Sequence, residues 1–252
     1  MKSEAASFLL AVQFLTRVPI GRINVYTPER MTAATRYYPL VGVLVGGFCA
    51  LVFVASTTLL PTVVAVLLSI AAGLLLTGAF HEDGLADTFD GIGGGLTRER
   101  ALEIMRDSRL GTYGTLALVA ALALKATTLI SLPAVMIPAA LIAGHGLSRL
   151  SSVIVIATSR YVREEGTGKP VAGGISFKSI MVALVSGAAI VAIWFLVYPS
   201  LAIVWALGAM VIAHGLIRTF FEPKLGGYTG DTLGAVQQVS EIGFYLGLLA
   251  WV

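Results

Sequence analysis

Charged residues are scarce in this sequence: Asp, Glu, Lys and Arg together make up 12% of its 252 residues. A soluble domain usually carries about 25% of such residues. Hydrophobic residues reach 57% and the mean hydropathy is +0.88, whereas a membrane-spanning helix needs about 20 largely apolar residues. These values exclude an ordinary soluble protein. We expect a single integral-membrane domain over residues 1–252.

Cysteine and basic patches are equally scarce. Cys49 is the single cysteine, which excludes an intrachain disulfide and a metal site built from cysteines. No stretch alternates basic and aromatic residues in the way that nucleic-acid-binding surfaces do, so we expect no nucleic-acid partner. The N-terminal run SFLLAVQFLTRVPIGR contains Gln13, Arg17 and Pro19 and lacks a small-residue cleavage site. It predicts an amphipathic helix at the membrane surface, within an interfacial segment at 1–37.

Seven apolar runs are long enough to cross a bilayer as helices. They lie at 38–60, 62–82, 112–132, 134–158, 179–199, 200–220 and 233–252. The predicted fold is therefore all-α: a polytopic helical bundle of about seven transmembrane helices plus the N-terminal amphipathic helix.

The basic residues predict the orientation of this bundle. All but two of the 17 Lys and Arg lie in the N-terminal segment or in the loops at 82–111, 159–178 and 218–232. Loops rich in Lys and Arg stay in the cytoplasm. We therefore expect a protein of the plasma (inner) membrane whose N-terminus and active site face the cytoplasm.

The segment AFHEDGLADTFDGIGGG, at 79–95, gathers negative charge directly after an apolar run. If the second span continues as a helix through residue 90, spacings of four and three place Asp83, Asp87 and Asp90 on one face. Three aligned carboxylates repel one another, and a divalent cation would compensate them. Mg²⁺, which prefers carboxylate oxygens, is the predicted cofactor. The alternative is a solvated acidic helix end.

Distance suggests that this segment is half of a site. Seven residues of helix separate Asp83 from Asp90 by about 10 Å, while Mg²⁺ binds its ligands at about 2.1 Å. Either two ions bind, as in many sites for phosphoryl displacement, or another loop supplies a carboxylate. Asp231, in the segment GGYTGD, is the first choice for this ligand and Asp107 the second. Glu82 is a further candidate ligand.

Other residues suit binding of phosphate or proton transfer. Arg106 and Arg109 are about one helical turn apart, and guanidinium groups bind phosphate oxygens well; the alternative is contact with lipid headgroups. Gly93 and Gly94 would let the backbone approach a ligand closely. His81 is a candidate general base, although it could equally be a structural, hydrogen-bonded histidine.

Three charged residues fall inside predicted spans: Lys125, Arg149 and Glu241. Lys125 is close to a span end, where its amine can reach the membrane surface. A lone charge at mid-depth costs about 2.5–3.5 kcal/mol on insertion scales. We therefore expect Arg149 and Glu241 to face each other or a shared polar cavity, which His145 could also line.

Five motifs occur in order along the chain: FLTRVP, YYPLVGVLVG, HEDGLADTFDG, LEIMRDSRLGTYG and GGYTGDTLGA. Together they resemble the cobalamin synthase family of membrane-bound adenosylcobinamide-GDP ribazoletransferases. The resemblance implies that a hydroxyl of α-ribazole, or of its 5′-phosphate, attacks the cobinamide-side phosphorus of adenosylcobinamide-GDP. GMP leaves, adenosylcobalamin or its phosphate forms, and Mg²⁺ is required.

The same resemblance implies roles for residues. Aspartates would hold the metal, and one of them, Asp87 or Asp90, could accept the hydroxyl proton. Arginines would bind phosphate oxygens, and we add Thr229 and Arg149 to the expected substrate-binding residues. The expected partners are the two substrates and the lipid bilayer, with other cobalamin-assembly enzymes and a second copy of the chain as further candidates.

Three alternatives stay open at this stage. Intramembrane prenyltransferases also combine aspartate-rich motifs with Mg²⁺ and a diphosphate, but they would have a second such motif, and GGYTGD contains one Asp. CDP-alcohol phosphotransferases share the DG dipeptide followed by an acidic helix face. A transporter would use Arg149 and Glu241 along an ion path, yet the spans form no inverted repeat.

Overall fold

The computed structural model describes residues 3–20, 26–163, 169 and 173–252. This part of the chain is helical and has no β-strand. The helices are α1 (Ser3–Leu15), α2 (Pro28–Ala34), α3 (Tyr38–Thr57), α4 (Thr62–Thr77), α5 (Phe80–Gly94), α6 (Arg98–Ile104), α7 (Thr112–Ser131), α8 (Ile137–Thr158), α9 (Phe177–Val197), α10 (Ala202–Leu225) and α11 (Gly230–Trp251). The predicted all-α membrane fold is confirmed.

The predicted count of seven spans is not confirmed. In the described ranges, five helical segments are long and apolar enough to cross a membrane, or six if the bent pair α4–α5 forms one span. The five are Pro28–Thr57, Thr112–Ser131, Ala134–Thr158, Phe177–Val197 and Ala202–Leu225. The predicted span 233–252 coincides with α11, which carries buried polar residues such as Gln237 and Glu241. Helices α5, α8 and α10 surround α11. Neighbouring protein groups can therefore supply hydrogen-bond partners for these buried side chains.

A sharp bend replaces the predicted continuous helix through residue 90. The axes of α4 and α5 differ by 87°. Gly78 and Ala79 both have positive φ, at 67° and 54°, and the left-handed conformation ends α4 because it cannot continue a right-handed helix. The N–H of Ala79 donates to Leu74 O at 2.8 Å. The acidic segment therefore runs across the direction of α4.

The N-terminal helix α1 packs one face against the bundle, and its residue Glu4 bonds to side chains of neighbouring elements. The Glu4 carboxylate lies 3.0 Å from Arg36 Nη1 and 3.1 Å from Lys178 Nζ, and Tyr37 donates to it at 2.6 Å. The Tyr37 hydrogen bond, Lys178 and Arg36 lower the pKa of Glu4. A helix is present in the predicted segment but ends at Leu15. Its amphipathic character and its position at a membrane surface stay predictions; residues 1–2 and 21–25 of the segment 1–37 lie outside the described residues.

Candidate active site

Helices α5 and α11 cross with their backbones almost in contact. A Cβ added to Gly84 would lie 2.7 Å from Asp231 O, and one added to Gly234 would lie 2.8 Å from His81 O. Only glycine allows this approach at the two positions. The crossing brings the first turn of α11, which contains Asp231, against the acidic helix α5.

Three carboxylates at this crossing are close enough to interact electrostatically. Asp83 is exposed and Asp87 is half-buried, and the Asp231 side chain is 15% exposed. The negative charges of Asp231 and Asp83 both act on Asp87, and Asp83 also acts on Asp231. The prediction that Asp231 lies beside the acidic segment is confirmed. We call Asp83, Asp87 and Asp231 the acid cluster.

A positive charge contacts the acid cluster from the loop after α8. Arg163 Nη2 lies 2.7 Å from Asp231 Oδ2, and the arginine side chain is 6% exposed. Burial raises the pKa of the Asp231 carboxyl, and Arg163 acts in the opposite direction. In the part of the chain that the structure describes, no three His, Cys, Asp or Glu residues are grouped to hold a metal ion.

Sequence reasoning missed Arg163 as a site residue, because it lies far from Asp231 along the chain. Backbone pairing brings the two together: Val162 N donates to Tyr228 O at 3.0 Å and Tyr228 N donates to Arg160 O at 2.8 Å. Tyr228 precedes Asp231 by three residues, so this pairing places Arg163 at the start of α11. Long-range pairing of this kind leaves no periodic signal in either segment.

Asp90 has different surroundings from the acid cluster. It is 8% exposed, and its two oxygens accept backbone hydrogen bonds from Gly111 at 2.7 Å and Gly114 at 2.8 Å. The carboxylate thereby caps the N-terminus of α7, where backbone N–H groups lack partners within the helix. This position indicates that Asp90 joins α5 to α7, and its predicted roles as metal ligand and proton acceptor stay predictions.

The structure does not bring Asp107 to the acid cluster. Arg109 Nη2 lies 2.6 Å from Asp107 Oδ2, and hydrogen bonds from Arg109 lower the pKa of Asp107 to about 2. The Arg109 side chain is 87% exposed, and Arg106 is exposed as well. Asp107 and Arg109 therefore neutralise each other in the loop before α7, and the choice of Asp107 as second extra ligand is not supported.

Two other predicted substrate contacts are Thr229 and the glycine pair Gly93 and Gly94. Thr229 is fully buried and caps α11: its hydroxyl accepts from Thr232 N at 3.2 Å, and Thr232 Oγ1 accepts from Thr229 N at 2.9 Å. The enclosed hydroxyl indicates a capping role, and the predicted substrate contact of Thr229 stays a prediction. Gly93 and Gly94 are exposed at the end of α5, and Gly93 packs on the Tyr113 ring.

The charges of the predicted spans form one buried cluster. Lys125 Nζ lies 3.1 Å from Glu241 Oε1, and His145 Nδ1 lies 3.4 Å from Glu241 Oε2. Arg149 donates to His145 O at 3.0 Å, and all four residues line one cavity. The predicted shared cavity of Arg149 and Glu241 is confirmed. The predicted surface-reaching position of Lys125 is wrong, because its side chain is 6% exposed and reaches a buried carboxylate instead.

Glu82 and His81 face this interior cavity. Gln238 Nε2 donates to Glu82 Oε1 at 2.8 Å, so Glu82 turns away from Asp83 and its predicted role as a ligand in the same cluster is not supported. His81 is 5% exposed and also lines a second cavity with Phe14, Tyr38 and Phe80. Its predicted catalytic role stays a prediction.

Comparison with known proteins adds independent evidence. The family model described as cobalamin-5-phosphate synthase matches residues 7–249. The chain belongs to this family. A relative from Leptothrix cholodnii, named adenosylcobinamide-GDP ribazoletransferase, is 47% identical over 99% of this chain and 97% of its own. A protein of the same name from Shewanella frigidimarina is 44% identical over 96% of this chain and 94% of its own. No solved structure matches the chain.

Membership of the cobalamin-5-phosphate synthase family resolves the open alternatives. The match begins within α1, ends within α11 and contains every residue of the acid cluster. It favours an adenosylcobinamide-GDP ribazoletransferase over an intramembrane prenyltransferase, a CDP-alcohol phosphotransferase or a transporter. The buried pair of Lys125 and Glu241 also gives the charges inside the spans a structural explanation that requires no ion path.

Proposed function

We propose that this chain is an adenosylcobinamide-GDP ribazoletransferase that joins the cobinamide phosphate to α-ribazole or its 5′-phosphate and releases GMP. The names of relatives at 43–47% identity support this assignment. The observation that carries the site is the contact of Gly84 with the Asp231 backbone. It joins two parts of the sequence into one acid cluster at an end of the bundle.

The acid cluster is the proposed binding site for Mg²⁺. Asp83, Asp87 and Asp231 offer carboxylate oxygens, the donors that Mg²⁺ prefers, and the Arg163 guanidinium 2.7 Å from Asp231 Oδ2 shows that this buried oxygen accepts a cationic partner. The chemistry of these donors fits the ion. Bound Mg²⁺ would offset the negative charge of the diphosphate, which is the main requirement of phosphoryl transfer.

Asp87 is the proposed acceptor of the hydroxyl proton. It is half-buried between the charges of Asp83 and Asp231, and repulsion from neighbouring carboxylates makes a carboxylate a better base. Asp90 is less suited to this role because two backbone N–H groups already occupy its oxygens.

Turnover with the purified protein in lipid nanodiscs tests the assignment. We expect GMP release and a new corrinoid product from adenosylcobinamide-GDP, α-ribazole and Mg²⁺, and loss of both after chelation with EDTA. Asp83→Asn, Asp87→Asn and Asp231→Asn should each abolish turnover while the protein stays folded. Glu103→Gln is the control, since this exposed acid pairs with Arg100. Absence of product from the unmodified protein would overturn the proposal.

The proposed location is the plasma (inner) membrane, with the acid cluster on the cytoplasmic side. The one cysteine, Cys49, is buried, so an introduced cysteine can report the orientation. Leu96 follows the acidic helix and is 97% exposed. A membrane-impermeant thiol reagent should label L96C in inside-out vesicles and not in right-side-out vesicles. The reverse pattern would contradict the proposed orientation.

A further inference from the structure

Arg163 lies where a cation would neutralise the acid cluster. Its Nη2 is 2.7 Å from Asp231 Oδ2, and its positive charge also acts on Asp87. A guanidinium and a divalent ion cannot both occupy the near side of one carboxylate oxygen.

The contact between Arg163 and Asp231 is close but incomplete. Arg163 Nη2 and Asp231 Oδ2 pair with each other at 2.7 Å, whereas the buried Nε of Arg163 has no hydrogen-bond partner among the described residues. Nε and Nη2 lie on one edge of the guanidinium, and such an edge forms two parallel hydrogen bonds with the paired oxygens of a carboxylate or phosphate. Buried donors without partners are costly. This edge of Arg163 is thus suited to bind a phosphate through two parallel hydrogen bonds.

The backbone holds Arg163 close enough to serve two partners. Residues 160–162 pair with 226–228 through the Val162–Tyr228 and Tyr228–Arg160 hydrogen bonds, and Arg160 Nε also donates to Gly226 O at 2.7 Å. The Cα of Arg163 is therefore anchored beside the start of α11. Rotation of its long side chain would carry the guanidinium away from Asp231 towards a neighbouring ligand.

We propose that Arg163 binds a pair of phosphate oxygens of the nucleoside diphosphate donor, and that without ligands it occupies the place of the divalent cation at Asp231. The inference rests on the proposed function, which supplies the diphosphate and the cation. Cation binding at Asp231 releases Arg163, and the free edge of its guanidinium then hydrogen-bonds to the diphosphate. Arg163 is thereby a substrate-binding residue that competes with the cation in the absence of the donor.

Two binding constants test this exchange with the full chain in nanodiscs. Mn²⁺, a paramagnetic substitute for Mg²⁺, is titrated alone by electron paramagnetic resonance, and GDP is then titrated at saturating Mn²⁺. In Arg163→Gln, Mn²⁺ alone should bind about tenfold more tightly because the competing guanidinium is gone. GDP should bind about tenfold more weakly because the two parallel hydrogen bonds from the guanidinium to its phosphate oxygens are lost. A residue that only stabilised the fold would not shift the two constants in opposite directions.

A matched control and a second variant complete the experiment. Arg218→Gln removes a comparable pair on α10, where Arg218 Nη2 lies 2.8 Å from Glu222 Oε1, and should change neither constant. Arg163→Lys keeps the positive charge but loses the paired N–H donors of the guanidinium. Mn²⁺ should therefore bind as in the unmodified protein, while GDP should bind more weakly. If Arg163→Gln does not fold, the Arg163→Lys result decides alone.

The proposed role of Arg163 would be overturned if both dissociation constants stayed unchanged, or if Mn²⁺ and GDP both bound more weakly. Turnover is not measured in this experiment, so its outcome is separate from that of the proposed function. An Arg163-dependent Mn²⁺–GDP site in a protein that releases no GMP from adenosylcobinamide-GDP would support the present inference and contradict the assigned reaction. Turnover in a protein whose Mn²⁺ and GDP binding do not depend on Arg163 would support the assigned reaction and contradict the present inference.

Discussion

Lys125 Nζ lies 3.1 Å from Glu241 Oε1 between α7 and α11, and the two side chains are 6% and 0% exposed. The lysine also donates to Gln238 Oε1 at 2.8 Å. A buried ion pair contributes little beyond an apolar pair of equal volume, but the loss of one partner leaves an uncompensated charge. The two residues therefore depend on each other.

Lys125→Met should destabilise the protein by about 3–5 kcal/mol because Glu241 would stay buried without its main cation. Thermal unfolding in detergent measures the effect. Lys178→Met is the control: it removes an exposed pair with Glu4, which is worth about 0–1 kcal/mol. The double variant Lys125→Met, Glu241→Leu should recover part of the loss. Equal effects of the two single variants would contradict this account.

Gly84→Ala should lower activity by forcing α5 away from α11. The added Cβ would lie 2.7 Å from Asp231 O, and displacement of catalytic groups by about 1 Å can cost about 100-fold in rate. GMP release by the variant measures this. Gly47→Ala is a suitable control, since no atom lies within 4 Å of its added Cβ and alanine favours a helix. Full activity of Gly84→Ala would show that the close crossing is dispensable.

Asp90→Asn should act on stability more than on chemistry. Asn offers one acceptor oxygen where Asp90 accepts from both Gly111 and Gly114, so a buried N–H loses its partner at a cost of about 1–3 kcal/mol. We expect the variant to unfold at a lower temperature and to bind Mn²⁺ with unchanged affinity. If Mn²⁺ affinity falls in the folded variant, Asp90 is a metal ligand as the sequence predicts.

Thr229 should behave as a helix cap. Thr229→Ala removes the hydroxyl that accepts from Thr232 N, which typically costs about 1 kcal/mol. Thr229→Ser keeps that hydroxyl and should unfold at nearly the temperature of the unmodified protein. Unfolding curves and substrate KM are measured together. A raised KM in both variants without a stability change would place Thr229 among the substrate-binding residues.

The fold was predictable because composition and apolar runs are local signals. The acid cluster was partly predictable, since the distance from Asp83 to Asp90 required another ligand and Asp231 was the first choice. Helix spacing alone also placed Asp90 with Asp87, but it contained no information on Gly111 and Gly114, which bind Asp90 from the next helix. A periodic pattern describes one helix and not the groups that other helices bring to it.

Two further errors have the same origin. The bend at Gly78 and Ala79 depends on left-handed backbone at an alanine, which the apolar run through this point conceals. Lys125 was assigned by its distance from a span end, yet its position is determined by Glu241 on α11, a partner remote in sequence. Arg163 was missed as a site residue for this reason too, because backbone pairing with Tyr228 places it.

The bend after α4 also affects how deep the acid cluster lies. With 16 residues and a rise of about 1.5 Å per residue, α4 is about 24 Å long, less than the hydrocarbon thickness of about 30 Å. A helix of this length that begins at one surface ends short of the other, and α5 then runs sideways from that level. The proposed reaction would then take place in a recess below the bilayer surface, and a water-soluble nucleoside would have to enter that recess to react.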